Sequence, residues 1–452
     1  MTNTPASHAF LAAPRRTLLR MAVAVSISLI AEPLTGLADT AFVARLGTVP
    51  LAGLGIGAMV LSSAFWVFNF LGVGTQTELA RCMGAGDSFR ASQILSASLL
   101  LAAGLGITVA LAAWPAAETA ARLLGGDGPV LQNAVDYIRV RLLGAPAILL
   151  TFSCFGALRG MQNMRTPLWI AGAVNLLNIV LDWLFIFGNG PFPAMGVTGA
   201  GLATSVSQWL GAMWAIWLVR HHIGIASNPR RADIRALLSI GGDLFVRTGM
   251  VLAFLLLATR QATEAGPDCG AAHQAIRQFF LFSALFLDAF AITGQSLIGY
   301  FMGSSAIPAA RQVAGMVCRW SLGTGTLLMI AMLLLEEPIA WLLIPPGIHS
   351  TFATGWLVAS LIQPINALSF ATDGIHWGTG DFRYLRNAML ISSLGGMALL
   401  LATSAVNAQP PLLWIWLATG LWTMLRTIFG VWRIWPGGRN APLHRAPRPL
   451  AS

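Results

Sequence analysis

The sequence predicts an all-α integral membrane protein of twelve transmembrane helices, arranged as two six-helix lobes related by a parallel pseudo-two-fold repeat. Three observations predict it. Of 452 residues, 56% are hydrophobic and only 10% charged, and the mean hydropathy is +0.71, which is too apolar for a soluble chain of this length. The apolar residues gather into twelve segments, each close to the roughly 20 residues needed to cross the hydrocarbon core. Finally, the second half of the chain repeats landmarks of the first at an offset of 219 residues.

In order, the first span, 20–44, follows a short arginine-bearing segment, 1–19, that lacks a secretory cleavage site and reads as an uncleaved cytoplasmic lead-in. Spans at 52–80 and 92–114 flank "GAGD" at 84–87. Those at 131–156, 167–189 and 196–219 complete a first lobe, 20–219. A basic loop, 220–236, containing "SNPRRADIR", reads as the cytoplasmic linker. The second lobe, 237–432, holds spans at 237–261, 271–300, 312–335, 351–374, 387–405 and 411–432. Residues 433–452 form a basic cytoplasmic tail. The segments are long and evenly apolar, so helices are expected; barrel strands would show short alternating runs.

The formal net charge is +10, with every basic residue an arginine. In a soluble protein this would point to nucleic acid. Here the arginines follow the loops: Arg81, Arg90, Arg159, Arg165, Arg220, Arg230, Arg231, Arg235, Arg383 and Arg386 fall on one side, while the other carries Arg45 and Arg122 with Glu118, Asp127, Glu264, Asp268, Glu336 and Glu337. This positive-inside pattern places both termini in the cytoplasm and removes the need for a nucleic-acid partner. The four cysteines show neither a disulfide framework nor metal-ligand spacing.

The repeat is read residue by residue. "QTELARCMGAGDSFRA" at 76–91 aligns with "QSLIGYFMGSSAIPAA" at 295–310, matching Gln76 to Gln295, Met83 to Met302 and Gly84 to Gly303. At nearly the same offset Gly47 meets Gly266, Pro146 meets Pro364, Gly156 meets Gly374 and Gly160 meets Gly378. The shift carries span one onto span seven. An even number of crossings keeps the orientation, so the two halves are parallel repeats, as in transporters with a site near mid-membrane between halves.

Polar residues inside the spans carry the chemistry, because an ionised side chain at the bilayer centre costs at least ~2.5–3.5 kcal/mol. Glu32, Thr35 and Asp39 are spaced i, i+3, i+7 on one face of span one. Pro33, between them, removes a backbone hydrogen bond and marks a conformational hinge. Asp39 is either a functional acid or an interfacial partner of Arg45. Asn175, Asn178 and Asp182 repeat the spacing on span five, where an amide and a carboxylate one turn apart offer hard oxygen ligands to a small cation or hold a carboxyl proton. Polar helix packing is the alternative for that pair. In the second half, Gln274, Asp288 and Asp373 are candidate substrate-cavity residues, with structural pairing equally open for Asp288.

The motifs "PLTGLADTAFVARLG", "GAGD", "YIRVRLLGAP", "LFLDAFAITGQSLIG" and "ATDGIHWGTGD", together with Asn178 and Asp182, resemble the multidrug and toxic compound extrusion (MATE) family, in its DinF-like branch. The resemblance covers nearly the whole chain. It implies a multi-pass protein of the bacterial inner membrane that exports small-molecule organic cations by alternating access, with H+ or Na+ as coupling ion, no other cofactor and no obligate protein partner. Carried over, Asp39, Asn178, Asp182 and Thr204 become ion-coupling residues, with a possible Na+ site at Asp39, Asn178 and Asp182. Glu32, Asp39, Gln274, Asp288 and Asp373 become the substrate cavity. Glu32 departs from the family pattern, which has a neutral residue there.

Two rivals are weighed on the same residues. A flippase for a lipid-linked substrate calls for a cationic cavity to hold pyrophosphate, whereas the candidate residues are mainly acids. An enzyme would need a catalytic constellation, and neither HExxH nor GxSxG occurs.

Overall fold

The computed structural model describes residues 8–435 and 441–444, apart from the side chain of Glu32; most of the 433–452 tail and the first seven residues lie outside the described set. The described residues are almost wholly helical. Among the described residues, ten helices are long and apolar enough to cross a membrane, with Thr48–Ala85 counted as one, and a bent pair, Gly128–Leu142 with Ala145–Gly160, makes eleven.

The first unit, Val23–Gly241, contains most of α1 (Pro14–Ala44), then α2 (Thr48–Trp66), α3 (Phe70–Ala85), α4 (Ser88–Leu123), α5 (Gly128–Leu142), α6 (Ala145–Gly160), α7 (Arg165–Phe187) and α8 (Val197–Ile223). The second unit, Gly242–Ser452 with Met1–Ala22, takes most of α9 (Arg231–Glu264), then α10 (Pro267–Gly303), α11 (Ile307–Leu334), a short α12 (Glu336–Leu343), α13 (His349–Leu361), α14 (Gln363–Thr379), α15 (Phe382–Ala405) and α16 (Pro411–Ile434).

Span two is α2 and α3 joined by a 3-10 turn at Val67–Asn69. Span four is α5 and α6, bent by 50° at the break, and span ten is α13 and α14, broken at Ile362. In both of these broken spans the second piece carries Pro at its second residue, Pro146 and Pro364, where a missing N–H costs nothing. Elsewhere proline is absorbed. Span three was expected to stop at Trp114, yet α4 continues through Pro115 to Leu123. The 220–236 segment is largely helical too, with α8 ending at Ile223 and α9 starting at Arg231. At its start, Arg90 grips Asp233 with both guanidinium nitrogens, at 2.7 and 2.5 Å, fixing the first turn of α9 to the first unit.

The glycines show the repeat in three dimensions. A Cβ on Gly156 would sit 2.3 Å from the Gly72 carbonyl oxygen, and one on Gly374 would sit 2.3 Å from that of Ala291. Four residues on, Gly160 faces the Gln76 carbonyl and Gly378 that of Gln295. These are G-x-x-x-G crossings, in which small residues let two helices approach closely without a hydrophobic driving force. The partners of each pair, 72 with 291 and 76 with 295, keep the offset of 219. Register found in the sequence is therefore register in the packing.

Candidate functional site

Within the first unit, α1, α7 and α8 bring four expected residues together. Asp39 is 5% exposed, Thr204 5%, and Asn178 and Asp182 are fully buried. The Thr204 hydroxyl lies 3.3 Å from Asp39 Oδ2 and accepts from Asn178 Nδ2 at 3.3 Å. Asp39 and Asp182 stand carboxyl against carboxyl. Asp39 Oδ1, Asn178 Oδ1 and both Asp182 oxygens have no hydrogen-bond donor. These are four acceptor atoms turned inward from helices far apart in sequence. Two carboxylates in contact inside an apolar medium hold together only with a proton or a cation between them.

Arg141 of α5 acts on Asp39 through space. Its Nη1 is committed to Gln208 Oε1 at 2.8 Å, so it does not form a salt bridge with either acid. Tyr137, one turn earlier and 4% exposed, completes the surroundings. About two helical turns from the acids, Asn175 Nδ2 donates to the Ala31 carbonyl at 2.6 Å, and the Thr35 hydroxyl contacts the Asn175 amide oxygen. Both contacts flank Pro33, through which α1 runs as one helix. The Glu32 side chain lies outside the described set.

The second unit's candidates do not form a comparable cluster. Gln274 is exposed, and its amide oxygen accepts from Arg277 at 3.2 and 2.9 Å. Asp288, half-buried, lies fourteen residues further along α10, or about 21 Å at 1.5 Å per residue. Gln274 and Asp288 therefore stand at different depths of the same helix. Asp373, 3% exposed, is not a bare acid either. Arg247 of α9 and Arg426 of α16 both reach its Oδ2, the latter at 3.0 Å. Sequence reasoning missed both arginines. The signal was present in "LFVRTGM" and "TMLRTIFG", each with one arginine in an apolar run, since a buried cation in a span demands a reason as much as an acid does.

Below that triad, Asp381 in the turn between α14 and α15 accepts from Arg433 Nε at 2.9 Å, with His376 Nδ1 at 3.7 Å. Burial pushes the Asp381 carboxyl up, but His376 and Arg433 outweigh it and hold it below the usual range.

The MatE family model matches residues 24–184 and 249–401. The chain belongs to this family. It is a membrane transporter of the efflux-antiporter kind and not an enzyme, and the lipid-flippase reading is not favoured. The chain is 32% identical to Protein DETOXIFICATION 44, chloroplastic, of Arabidopsis thaliana, over 94% of this chain and 82% of that one. It is 29% identical to DNA damage-inducible protein F of Escherichia coli K12, covering 94% and 93%. Its fold matches the crystal structure of MATE in the bent conformation with a TM-score of 0.86 at 22% identity, over 93% of this transporter and 94% of the other. The straight conformation of MATE matches with 0.84 at 21% identity, over 93% and 95%.

Proposed function

We propose that this MATE transporter exports amphipathic organic cations, and that the exchanged ion, H+ or Na+, binds at Asp39, Asn178, Asp182 and Thr204. The single observation that carries this reading is the opposed Asp39 and Asp182 carboxyls, which meet no salt-bridge partner among the described residues while three of their four oxygens lack a donor. A proton shared between the carboxyls satisfies the pair. A sodium ion could use the same oxygens with the Asn178 amide and Thr204 hydroxyl.

In this reading the ion binds one conformation better than the other, because only that unequal affinity can move the equilibrium. Pro33 is the hinge. Its missing N–H leaves the Leu29 carbonyl without its usual partner, so α1 can bend there at low cost when the Asp39 charge is neutralised. The arginine pattern supports cytoplasmic termini and a bacterial inner membrane.

The test is export of rhodamine B ethyl ester, a permanent cation, from reconstituted vesicles under an imposed proton gradient and then a sodium gradient. The wild type is expected to respond to one gradient, and Asp39→Asn to lose at least about tenfold in driven export while still binding the dye. A silent Asp39→Asn, or a wild type that responds to neither gradient, would sink the assignment.

A further inference from the structure

Asn178 and Asp182 lie on one face of α7, and by helical spacing the opposite face holds an apolar groove against α8. The groove encloses about 570 Å³ and is walled by Trp169, Gly172, Ala173 and Leu176 of α7 and by Trp214 and Leu218 of α8. Its depth comes from a missing side chain: a Cβ on Gly172 would meet no atom within 4 Å. The two indoles stay open, Trp169 at 70% exposure and Trp214 at 40%, and among the described residues neither ring meets an aromatic or cationic partner. The repeat does not carry this groove. At the offset of 219, Ile391 stands for Gly172 and Ala388 for Trp169.

One end of the groove is basic. Arg165, one turn before Trp169 on the same face of α7, is exposed and makes no hydrogen bond or ion pair among the described residues. On α8 the groove face continues from Trp214 and Leu218 to His221 and His222, both exposed. His222 Nδ1 lies 2.7 Å from the Leu218 carbonyl, which leaves Nε2 for another partner. No acid balances this end. Between Asp136 and Asp233 the sequence holds one acid, Asp182, which is seventeen residues from Arg165, or about 25 Å along α7.

A water molecule needs several polar partners, which these walls do not offer. An acyl chain needs none. Indole rings suit the headgroup level, and basic pockets between membrane helices suit anionic headgroups.

We infer that the α7–α8 groove binds an anionic phospholipid from the arginine-rich side of the membrane. One acyl chain lies over Gly172 between the two indoles, and the phosphate meets Arg165 and the His221–His222 pair through charge-assisted hydrogen bonds. A lipid without net charge fills the groove but lacks the match to Arg165. The bound lipid braces α7 from behind the face that carries Asn178 and Asp182. Binding requires only the bilayer and is independent of the export reading; naming the leaflet cytoplasmic rests on the arginine pattern.

Native mass spectrometry of the full-length protein, titrated in detergent with dioleoylphosphatidylglycerol or dioleoylphosphatidylcholine, reads the affinity of the first bound lipid. The wild type is expected to bind phosphatidylglycerol about fivefold more tightly or better, the scale of one arginine beside anionic lipid. Arg165→Gln should erase most of that preference and leave phosphatidylcholine binding unchanged. Gly172→Leu puts a side chain into space the wild type leaves open, and should weaken both lipids by about tenfold, equivalent to losing roughly two buried methylenes. Gly104→Leu, at an exposed position of α4 equally free of neighbours, is the control and should change neither. Equal wild-type affinities for the two lipids, or a Gly172→Leu protein that binds as well as Gly104→Leu, would overturn the site. If Gly172→Leu does not fold, Arg165→Gln and Trp169→Ala decide the matter, and a phosphatidylglycerol preference that survives both rules the groove out.

Discussion

The two halves cross their helices at equivalent glycines, Gly156 on Gly72 and Gly374 on Ala291, yet they load the resulting frames with opposite charge. The first half buries two acids, Asp39 and Asp182, in mutual contact and, among the described residues, without a salt bridge. Its counterpart positions in the second half hold Ala258 and Leu401, and that half instead sets a buried arginine, Arg426, and a half-buried one, Arg247, on one aspartate. Duplication fixed the backbone contacts because a close crossing tolerates no Cβ. Charge was free to diverge, because side chains on other faces of the same helices take no part in those crossings.

The contrast is broken most sharply by removing one acid from each half. Asp373→Ala leaves the buried Arg426 and the half-buried Arg247 without their carboxylate and is expected to cost about 3–5 kcal/mol, the usual result of breaking a buried ion pair from one side. Asp182→Asn removes one of two opposed carboxyls and should leave thermal stability unchanged or raised, while driven transport is lost. Thermal unfolding of both variants in the same detergent gives the answer. Similar losses of stability in the two would mean that the first-half acids are structural after all.

The second test asks whether the shared frame is shared in energy. Gly156→Val and Gly374→Val each push a branched side chain against a carbonyl oxygen, an overpacking that costs about 1–3 kcal/mol or more. The two losses should agree closely, read as matched falls in unfolding temperature. A large loss in one half and none in the other would show that one crossing relaxes and that the equivalence is only geometric.

How far the sequence led differs between frame and charge. The glycine register was legible because a carbonyl crossing admits one residue type, so identity survives at Gly156, Gly160, Gly374 and Gly378. The faces carrying Asp39 and Asn178–Asp182 were legible from i, i+3, i+7 spacing alone. That Thr204 would stand between Asp39 and Asn178 came from resemblance and not from spacing, since α8 has no acid to mark it. The meeting of Arg247, Asp373 and Arg426 could not be read, because no local pattern joins residues 126 and 53 positions apart. Helix length beyond the apolar span was not legible either: α4 runs past Trp114, carries Pro115 inside it and ends at Leu123.

A finer difference between the halves lies beside the first-half acids. Asn175 ties α7 to the Ala31 carbonyl just before Pro33 at 2.6 Å, whereas the repeat-equivalent position holds Leu394, 58% exposed. Interhelical hydrogen bonds in membranes are modest, so Asn175→Ala should cost only about 0.6–1.7 kcal/mol, and Leu394→Ala almost nothing. The kinetic effect should be larger than the stability effect. Asn175 holds the segment that must move if Pro33 is the hinge, so its loss should speed the return of α1 between conformations and weaken the link between ion entry and export. The reading is ion flux in vesicles without dye. An Asn175→Ala protein with increased uncoupled flux and near-normal unfolding temperature places the brake at this bond; unchanged flux would leave Asn175 as packing and move the hinge away from Pro33.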